Sequence, residues 1–317
     1  MITNNISEAT TALVNNEIIA MPTETVYGLA GNAYSVAAVQ KIFTLKKRPS
    51  NNPLIVHIKS VQYLNNVAND IPLAAYKLAS AFWPGSLTLV LKKQLHIPDI
   101  VTAGKTTVAV RVPNHPVALA LLESLSFPLA APSANPFGCI SPTTAEHVHT
   151  YFGNDLSIIL QGGSCENGVE STIIGFDNEQ PILYRHGAIS VEDIEAVVGK
   201  IIVNTNNNSN PVAPGMLSRH YAPSTPTYLT ENVSEMIQSI SNKKIGVLVF
   251  KNKITNESIT HQEILSITGN TKEATKNLYA ALHRLDNSDA EIIIAEKMPA
   301  VGLGKTINDR LQRAVKK

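Results

Sequence analysis

The chain has 317 residues, a length that favours about two domains. Apolar residues make up 44% of the sequence and charged residues 16%, which excludes a disordered chain. A formal net charge of +1 excludes the overall basic field of proteins that coat nucleic acids. The two cysteines, Cys139 and Cys165, are too few for a disulfide framework and indicate a reducing compartment.

The N-terminal segment predicts neither export nor membrane insertion. Residues 1–20 lack the charged start and the long apolar core of a signal peptide. No run approaches the roughly 18 apolar residues that a membrane span needs. We therefore expect a soluble, cytoplasmic protein with no membrane partner.

Residues 1–203 alternate short β-rich runs with helical patterns. Strands are predicted at Glu17–Met21, Pro53–Ile58, Leu87–Lys92, Thr107–Val112, Leu129–Pro132, Ser157–Leu160, Ser171–Phe176 and Pro181–Tyr184. Helices are predicted at Ser35–Leu45, Pro72–Phe82, Pro116–Ser124, Thr143–Tyr151 and Val191–Val198. This mixture indicates an α/β domain, and the hairpin-length gaps favour a mixed sheet over a purely parallel one.

Residues 204–226 are predicted to connect two domains. The run 204–210 has no apolar residue, and the next stretch, PVAPGMLSRHYAPSTP, carries four prolines and one glycine. Because proline fixes φ, we expect this stretch to be an ordered connector without regular secondary structure. Residues 227–317 then predict a small parallel α/β domain, with strands at Lys244–Phe250 and Glu291–Ala295 and helices at Thr271–Leu285 and Thr306–Val315.

Two cations lie between a predicted helix and a predicted strand. Lys46 and Arg48 are two residues apart, just before Pro49. Backbone before a proline is pushed toward the extended region, where positions i and i+2 share one face. We therefore expect both side chains to project together into solvent as a two-cation clamp, which suits phosphate groups.

A second pair at i and i+2 is Ser133 and Asn135, with prolines on both sides. The pair follows an apolar strand, and open α/β sheets bind ligands at the carboxyl ends of strands. We expect the hydroxyl and the amide to share a face there. The alternative is a proline-rich surface loop that uses Ser and Asn as turn formers.

Several single positions leave two interpretations open. Arg111, inside an apolar strand, needs a partner, which is either an internal salt bridge or a substrate carboxylate. His57 ends another apolar strand, and spacing alone does not decide whether it is structural. The glycines of 162–163 and 168 form a tight loop or allow a ligand to approach. Arg185, just past a strand, is a candidate contact to phosphate or base.

Two motif matches are rejected. Gly304-Lys305-Thr306 lies between a strand and a helix, but a phosphate-binding loop requires glycine where this chain has Pro299. His147 and His149 lie in a helical pattern, where residues two apart face in different directions. We therefore expect neither a P-loop nor a histidine metal site.

As a set, the motifs resemble the Sua5/YrdC/YciO family. They are PTETVYGL, the Lys46/Arg48 pair, the Ser133/Asn135 pair, ESTII and PGM…HYAP. The connector, with the C-terminal segments NLYAALHRLD and GKTINDRLQRA, resembles the two-domain Sua5 form, so that the resemblance covers nearly the whole chain. It implies a twisted, open, mixed α/β sheet (YrdC-like) with a concave surface, followed by a smaller Rossmann-like α/β domain.

The resemblance also implies a reaction and its partners. L-Threonine, bicarbonate and ATP would give L-threonylcarbamoyladenylate and pyrophosphate, which is nucleotidyltransferase chemistry that serves the t6A37 modification of tRNA. Mg²⁺ would arrive with ATP, without protein metal ligands and without an organic cofactor. Downstream t6A-transfer proteins would receive the product. Direct tRNA binding is compatible with the resemblance but not required by it.

The family's functional residues map onto this sequence by motif. The resemblance assigns the catalytic role to Lys46 and Arg48. It assigns L-threonine binding to Thr25, His57, Arg111, the backbone of Ala131, and Ser171. It assigns ATP binding to Lys46, Arg48, Asn52, Thr107, Ser133, Asn135, Ser141, Arg185 and Tyr221. Tyr221 lies in the connector, which we expect to fold back as a lid over the nucleotide.

Two other functions are weighed against this one. The first is a module that binds tRNA or double-stranded RNA through the same concave surface, but the near-neutral charge and the lack of interleaved aromatic residues argue against it. The second is a carbamoyl-transfer domain of the hydrogenase-maturation type. The connector and second domain argue against that type, and its zinc-finger and acylphosphatase-like segments are absent from this sequence.

Overall fold

The computed structural model describes residues 1–205, 211–216 and 220–315. Part of the predicted linker (206–210), part of the connector (217–219) and the last two residues lie outside the described residues. The described chain forms two sheets, one before the connector and one after it. The domain bounds 1–203, 204–226 and 227–317 stay a prediction.

The first sheet has twelve strands among the described residues. They are β1 (Ile2–Thr3), β2 (Ile19–Met21), β3 (Gly28–Asn32), β4 (Ile55–His57), β5 (Ala68–Asn69), β6 (Leu87–Lys93), β7 (Thr107–Arg111), β8 (Leu129–Ala130), β9 (Ile159–Leu160), β10 (Thr172–Asp177), β11 (Gln180–Arg185) and β12 (Ile202–Val203). Its helices are α1 (Ile6–Val14), α2 (Val36–Lys46), α3 (Leu73–Phe82), α4 (Asp99–Thr102), α5 (Pro116–Glu123), α6 (Ala145–Phe152) and α7 (Val191–Val198).

The strand order of this sheet is β1-β9-β2-β3-β8-β4-β7-β6-β10-β11-β12, with β5 beside β6. Parallel pairs such as β4 with β7 alternate with antiparallel pairs such as β6 with β7. The predicted mixed α/β sheet is therefore confirmed. Neither α1 nor β3 was predicted, and β3 has the sequence GLAGN, which lacks the β-branched residues that mark strands.

The two faces of the central strands are buried by different parts of the chain. Val56 and Val110 point into the main core among the helices. Their neighbours Ile55 and Ala109 point to the opposite face, as the two-residue period of a strand requires. That opposite face is covered by the connector, whose Met216 is fully buried against it.

The second sheet is entirely parallel, with the order β13-β16-β14-β15. Its strands are β13 (Thr227–Thr230), β14 (Ile245–Val249), β15 (Ile259–Ile264) and β16 (Ile292–Glu296), and its helices are α8 (Val233–Gln238), α9 (Thr271–Asp286) and α10 (Gly304–Ala314). Helix α8 packs on one face, and α9 and α10 pack on the other. This confirms the predicted smaller Rossmann-like α/β domain.

The two domains share one apolar cluster. Leu278 of α9 and Ile307 of α10 belong to the same cluster as Val26, Ile140 and Val169 of the first domain. The connector therefore leads into a packed interface, which lies next to the cavity described below.

Candidate active site

A cavity opens between the central strands and the connector. Most of the residues that the sequence assigned to a site line this cavity, namely Thr25, Arg48, His57, Arg111, Ala131, Ser133, Ser171, Arg185 and Tyr221. Lys46, Asn52, Thr107, Asn135 and Ser141 do not line it. The structure thus brings all the predicted threonine-binding residues together, with part of the predicted ATP-binding set.

Strand register places the first group. His57 and Arg111 are direct partners at the ends of the parallel strands β4 and β7. Leu129 of β8 pairs with His57 from the other side, and the Ala131 amide donates to the Ile55 carbonyl at 2.9 Å. Residues from β4 and β7, together with Ala131 just after β8, therefore form one wall of the cavity.

Arg111 forms the internal salt bridge that was one of its two interpretations. Its Nη2 lies 2.5 Å from Oε1 of Glu24, and both side chains are only 4% exposed. Nη1 donates to Oγ1 of Thr25 at 2.9 Å, and Nε donates to the Gly85 carbonyl at 3.1 Å. Arg111 also lines the cavity, so the salt bridge does not exclude a substrate contact.

Glu24 is a site residue that the sequence interpretation missed. Burial opposes ionisation of its carboxyl group, but the charge of Arg111 and the hydrogen bonds outweigh burial and lower its pKa. The signal was present, since an arginine inside an apolar strand requires an acidic partner. What the sequence could not supply was the choice of carboxylate, because Glu24 and Arg111 are 87 residues apart.

His57 is held neutral. Burial, together with repulsion from Arg111, lowers its pKa to about 3. Its Nδ1 is buried without a hydrogen-bond partner. A neutral imidazole in this wall can exchange a hydrogen bond with a ligand without repelling a cationic group.

The prediction that Lys46 and Arg48 form a solvent-facing clamp in extended backbone is wrong. Helix α2 continues through Lys46, and Lys47 takes a left-handed cap conformation with φ of 52°. Lys46 is 1% exposed and Arg48 is 8% exposed. The proline rule governs only the residue directly before Pro49, so it did not apply to Lys46.

Both cations are instead held by backbone carbonyls. Lys46 Nζ donates to the carbonyls of Ser133 and Asn135, which project to one side of their segment. Arg48 donates to the carbonyls of Asn52 and Pro53 at 3.1 and 2.8 Å. Burial, with repulsion from Arg48, lowers the pKa of Lys46 well below its usual value, and burial lowers that of Arg48 to about 9.

Buried polar atoms without partners gather around these cations. Among the described residues they include both side-chain amide atoms of Asn52, Oδ1 of Asn135, Nδ1 of His220 and the Tyr221 hydroxyl. An unpaired buried polar atom costs about 1–3 kcal/mol, and native proteins rarely leave one without a reason. Their concentration here indicates a site that a polar ligand completes.

The connector forms one wall of the cavity. Ala213 and Met216 are fully buried against Ile55, Val90 and other apolar residues of the sheet. Tyr221 has a left-handed φ of 64°, which is strained for a residue with a side chain. The predicted fold-back of the connector is therefore present.

Glu170 joins this site to the second domain. It accepts hydrogen bonds from Ser141 at 2.6 Å, from the Tyr279 hydroxyl at 3.0 Å and from Arg310 at 2.9 Å. Burial disfavours its charge, but Arg310 and Arg185 outweigh burial and lower its pKa to about 2. The predicted ATP residue Ser141 is thus engaged by a carboxylate, while Thr107 lies in the sheet opposite Lys92.

The rejected motifs have structural roles. Lys305 pairs with Glu192 at 2.6 Å, and Thr306 donates to the Gly187 carbonyl at 2.9 Å, so both residues dock α10 on the first domain. His147 stacks on His283 with ring centroids 3.9 Å apart. In the described part of the chain, no group of three or more His, Cys, Asp or Glu side chains is placed to hold a metal ion. None of the described helices has both the length and the apolar character of a membrane span.

Fold and site together define a two-domain α/β protein with a cation-rich cavity. A family model described as Telomere recombination (Sua5_yciO_yrdC) matches residues 11–187, and one described as Threonylcarbamoyl-AMP synthase, C-terminal domain, matches residues 189–315. The chain therefore belongs to the Sua5/YrdC/YciO family, in the form that carries this C-terminal domain.

Similar proteins include two named Threonylcarbamoyl-AMP synthase. The one from Bacillus subtilis is 41% identical, over 98% of this chain and 92% of its own length. The one from Pyrococcus abyssi is 40% identical, over 94% of this chain and 90% of its own length. The crystal structure of P. abyssi Sua5 complexed with L-threonine superposes with a TM-score of 0.90, at 38% identity, covering 98% of this chain and 94% of that one.

Proposed function

We propose that this protein is an L-threonylcarbamoyladenylate synthase, a nucleotidyltransferase that makes threonylcarbamoyl-AMP and pyrophosphate from L-threonine, bicarbonate and ATP. The names of its relatives and the threonine bound to the P. abyssi protein support this proposal. The observation that carries it is the convergence of the predicted threonine residues on one cavity, beside buried cations and unpartnered polar atoms.

The chemistry brings anions together. Bicarbonate and the amine of threonine form an N-carboxy compound, whose carboxylate attacks the α-phosphorus of ATP and releases pyrophosphate. Since the attacking carboxylate is already ionised, fixed positive charge matters more than a protein base. Arg48, Arg111 and Arg185 line the cavity and supply that charge.

Lys46 would contribute from just behind the cavity wall. An ammonium group has three N–H donors, and two are used by the carbonyls of Ser133 and Asn135. The third is left for a phosphate oxygen. An anionic ligand there would offset the burial that lowers the pKa of Lys46.

Magnesium would enter with ATP and neutralise part of the phosphate charge. The unpartnered amide oxygens of Asn52 and Asn135 fit groups that donate hydrogen bonds, which metal-bound water and the nucleotide both offer.

The connector would act as a lid, because the product is a labile mixed anhydride and must be kept from water. Downstream, the product would pass to partner proteins for the t6A37 modification of tRNA in the cytoplasm.

The test is to incubate the pure protein with threonine, labelled bicarbonate and ATP. We expect pyrophosphate and a labelled adenylate that both require threonine. Pyrophosphate release at the same rate without threonine, or no adenylate that carries the label, contradicts the proposal.

A further inference from the structure

A one-directional chain of hydrogen bonds runs along the threonine-binding wall, where Thr23 and Thr25 both line the cavity. Arg111 Nη1 donates to Oγ1 of Thr25 at 2.9 Å, the hydroxyls of Thr25 and Thr23 are 2.8 Å apart, and Thr23 donates to the Val26 carbonyl at 2.6 Å. Because Thr23 gives its single hydrogen to the Val26 carbonyl, Thr25 must be the donor in the contact between the two hydroxyls. Thr25 therefore donates its one hydroxyl hydrogen to Thr23.

The Thr25 hydroxyl can only accept a hydrogen bond from a ligand in the cavity. A hydroxyl has one hydrogen and two acceptor positions. The hydrogen goes to Thr23 and one acceptor position is taken by Arg111, so that one acceptor position remains. A ligand group that meets Thr25 must therefore bring a hydrogen of its own.

Arg111 indicates which ligand group this is. Its guanidinium has five N–H donors, and the bonds to Gly85, Thr25 and Glu24 use one each, on Nε, Nη1 and Nη2. One N–H remains on each terminal nitrogen, enough for a two-point grip on a carboxylate. A carboxylate held there lies next to Thr25, and in an α-amino acid the closest hydrogen donor to the carboxylate is the amine.

The nearby carboxylate does not compete for that amine. Glu24 does not line the cavity, and its oxygens accept from Arg111, from Ser86 at 3.0 Å and from the Asn114 amide at 3.0 Å. An ammonium group in this corner meets a hydroxyl lone pair rather than a free anion. This favours the neutral amine, whose own lone pair is then available to attack the bicarbonate carbon.

We propose that Thr23 is a positioning residue that makes Thr25 an acceptor-only group, and that Thr25 thereby selects the amine of the amino-acid substrate. This inference rests on the proposed function for the identity of the substrate. Thr23 is 2% exposed and belongs to none of the residues that the sequence had assigned to the site.

The experiment compares two ligands that differ only in the group next to the carboxylate. 2-Aminobutanoate offers a hydrogen donor there, and 2-oxobutanoate offers only an acceptor. Their dissociation constants are measured by calorimetry on the full chain, as wild type, Thr23→Val and Thr23→Ser. Thr23→Val removes the acceptor of the Thr25 hydrogen, while Thr23→Ser keeps it.

In Thr23→Val, the Thr25 hydrogen can turn toward the cavity and serve the ketone. We expect the preference for 2-aminobutanoate over 2-oxobutanoate to fall roughly tenfold, as for the loss of one buried hydrogen bond, and Thr23→Ser to keep the wild-type ratio. A general loosening of the turn would weaken both ligands together and leave the ratio unchanged, and that outcome overturns the inference. Binding of neither ligand to the wild type also overturns it.

The pyrophosphate assay separates this inference from the proposed function. If the wild type releases pyrophosphate only with threonine, but the ratio of the two dissociation constants is unchanged in Thr23→Val, the inference is wrong and the proposed function stands. If that ratio shifts but no pyrophosphate is released, the proposed reaction is wrong and the selection of the amine by Thr25 stands.

Discussion

At the scale of single residues, the most unusual group is the buried ammonium of Lys46. Its Nζ is held by two carbonyls, and among the described residues no carboxylate acts on its charge. Removing a charge from water without an opposite charge costs several kcal/mol. In the folded protein, an anionic substrate bound beside Lys46 would offset this unfavourable free energy.

Replacing Lys46 by methionine should separate activity from stability. Lys46→Met keeps the buried stem and removes the uncompensated charge, but it also leaves the Ser133 and Asn135 carbonyls without their donor. Since these two effects oppose each other, we expect the unfolding temperature to change little while turnover falls at least a hundredfold. Pyrophosphate release and thermal unfolding measure the two effects. The matched control is Lys47→Met, one residue further along and exposed, which should keep wild-type turnover. Near-normal turnover in Lys46→Met contradicts a role in phosphate binding.

Sequence patterns identified the site residues better than they predicted where the side chains of those residues point. His57 was singled out because it ends an apolar run and Arg111 because it lies inside one, and strand register then aligns them. The orientation of Lys46 could not be found, because it depends on two carbonyls almost ninety positions away in the chain. The role of the Thr23 hydroxyl was missed because it follows from the distant Arg111, which binds Thr25, the hydroxyl that Thr23 orients.

At the scale of elements, the connector contributes to folding and to the site at once. Ala213 and Met216 bury one face of the first sheet, and Tyr221, further along, lies 4.7 Å from the Arg310 guanidinium. The Tyr221 hydroxyl, however, is buried without a partner. A hydroxyl in this state lowers stability, which suggests that it is kept for a ligand.

Tyr221→Phe tests this interpretation. Removing an unpartnered hydroxyl should leave the unfolding temperature unchanged or higher, while the KM for ATP should rise several-fold with little change in the KM for threonine. Tyr279→Phe is the matched control, because the Tyr279 hydroxyl donates to Glu170 and its loss should lower stability. A lower unfolding temperature in Tyr221→Phe, with unchanged KM for ATP, would mean a structural role for the hydroxyl.

Strand β15, which was not predicted, shows where apolar periodicity in the sequence fails to mark a strand. β15 reads Ile-Thr-His-Gln-Glu-Ile, lies at the edge of its sheet and pairs only with β14. An edge strand buries little, so its sequence carries little apolar signal. In contrast, β14 lies inside the same sheet, is fully buried and was predicted as a strand.

At the scale of the whole molecule, the interface between the domains carries a buried histidine, His283, stacked on the partly buried His147. His283 of α9 shares a 3.2 Å hydrogen bond with the Ser141 carbonyl and stacks on His147 of α6. Burial, with repulsion from His147, lowers the pKa of His283 to about 4, and burial also lowers that of His147. Both histidines are therefore neutral in the folded protein near pH 7.

This interface should make stability depend on pH. The unfolded chain binds a proton on His283 near its ordinary pKa of 6.5, whereas the folded chain does so only near 4. The contribution is thus complete above 6.5 and is lost as pH falls toward 4, by at most about 1.4 kcal/mol per pH unit for one histidine. We expect the unfolding temperature of the wild type to drop over that window.

His283→Gln should drop less over the same window, measured by thermal unfolding from pH 7.5 to 4.5. Glutamine can still donate to the Ser141 carbonyl but binds no proton. His149→Gln, an exposed change on α6, should follow the wild-type curve. Parallel curves for wild type and His283→Gln would show that this histidine does not couple protonation to folding.

The carboxylate of Glu170 has a consequence for how the molecule comes apart. Its two oxygens serve Ser141 in one domain and Tyr279 and Arg310 in the other, and the next residue in the chain is Ser171 of the cavity wall. Separating the domains would leave the buried Glu170 carboxylate without the partners that balance its charge. The two domains should therefore unfold together in a single calorimetric peak. A ligand bound in the cavity of the first domain should raise the unfolding temperature of both domains.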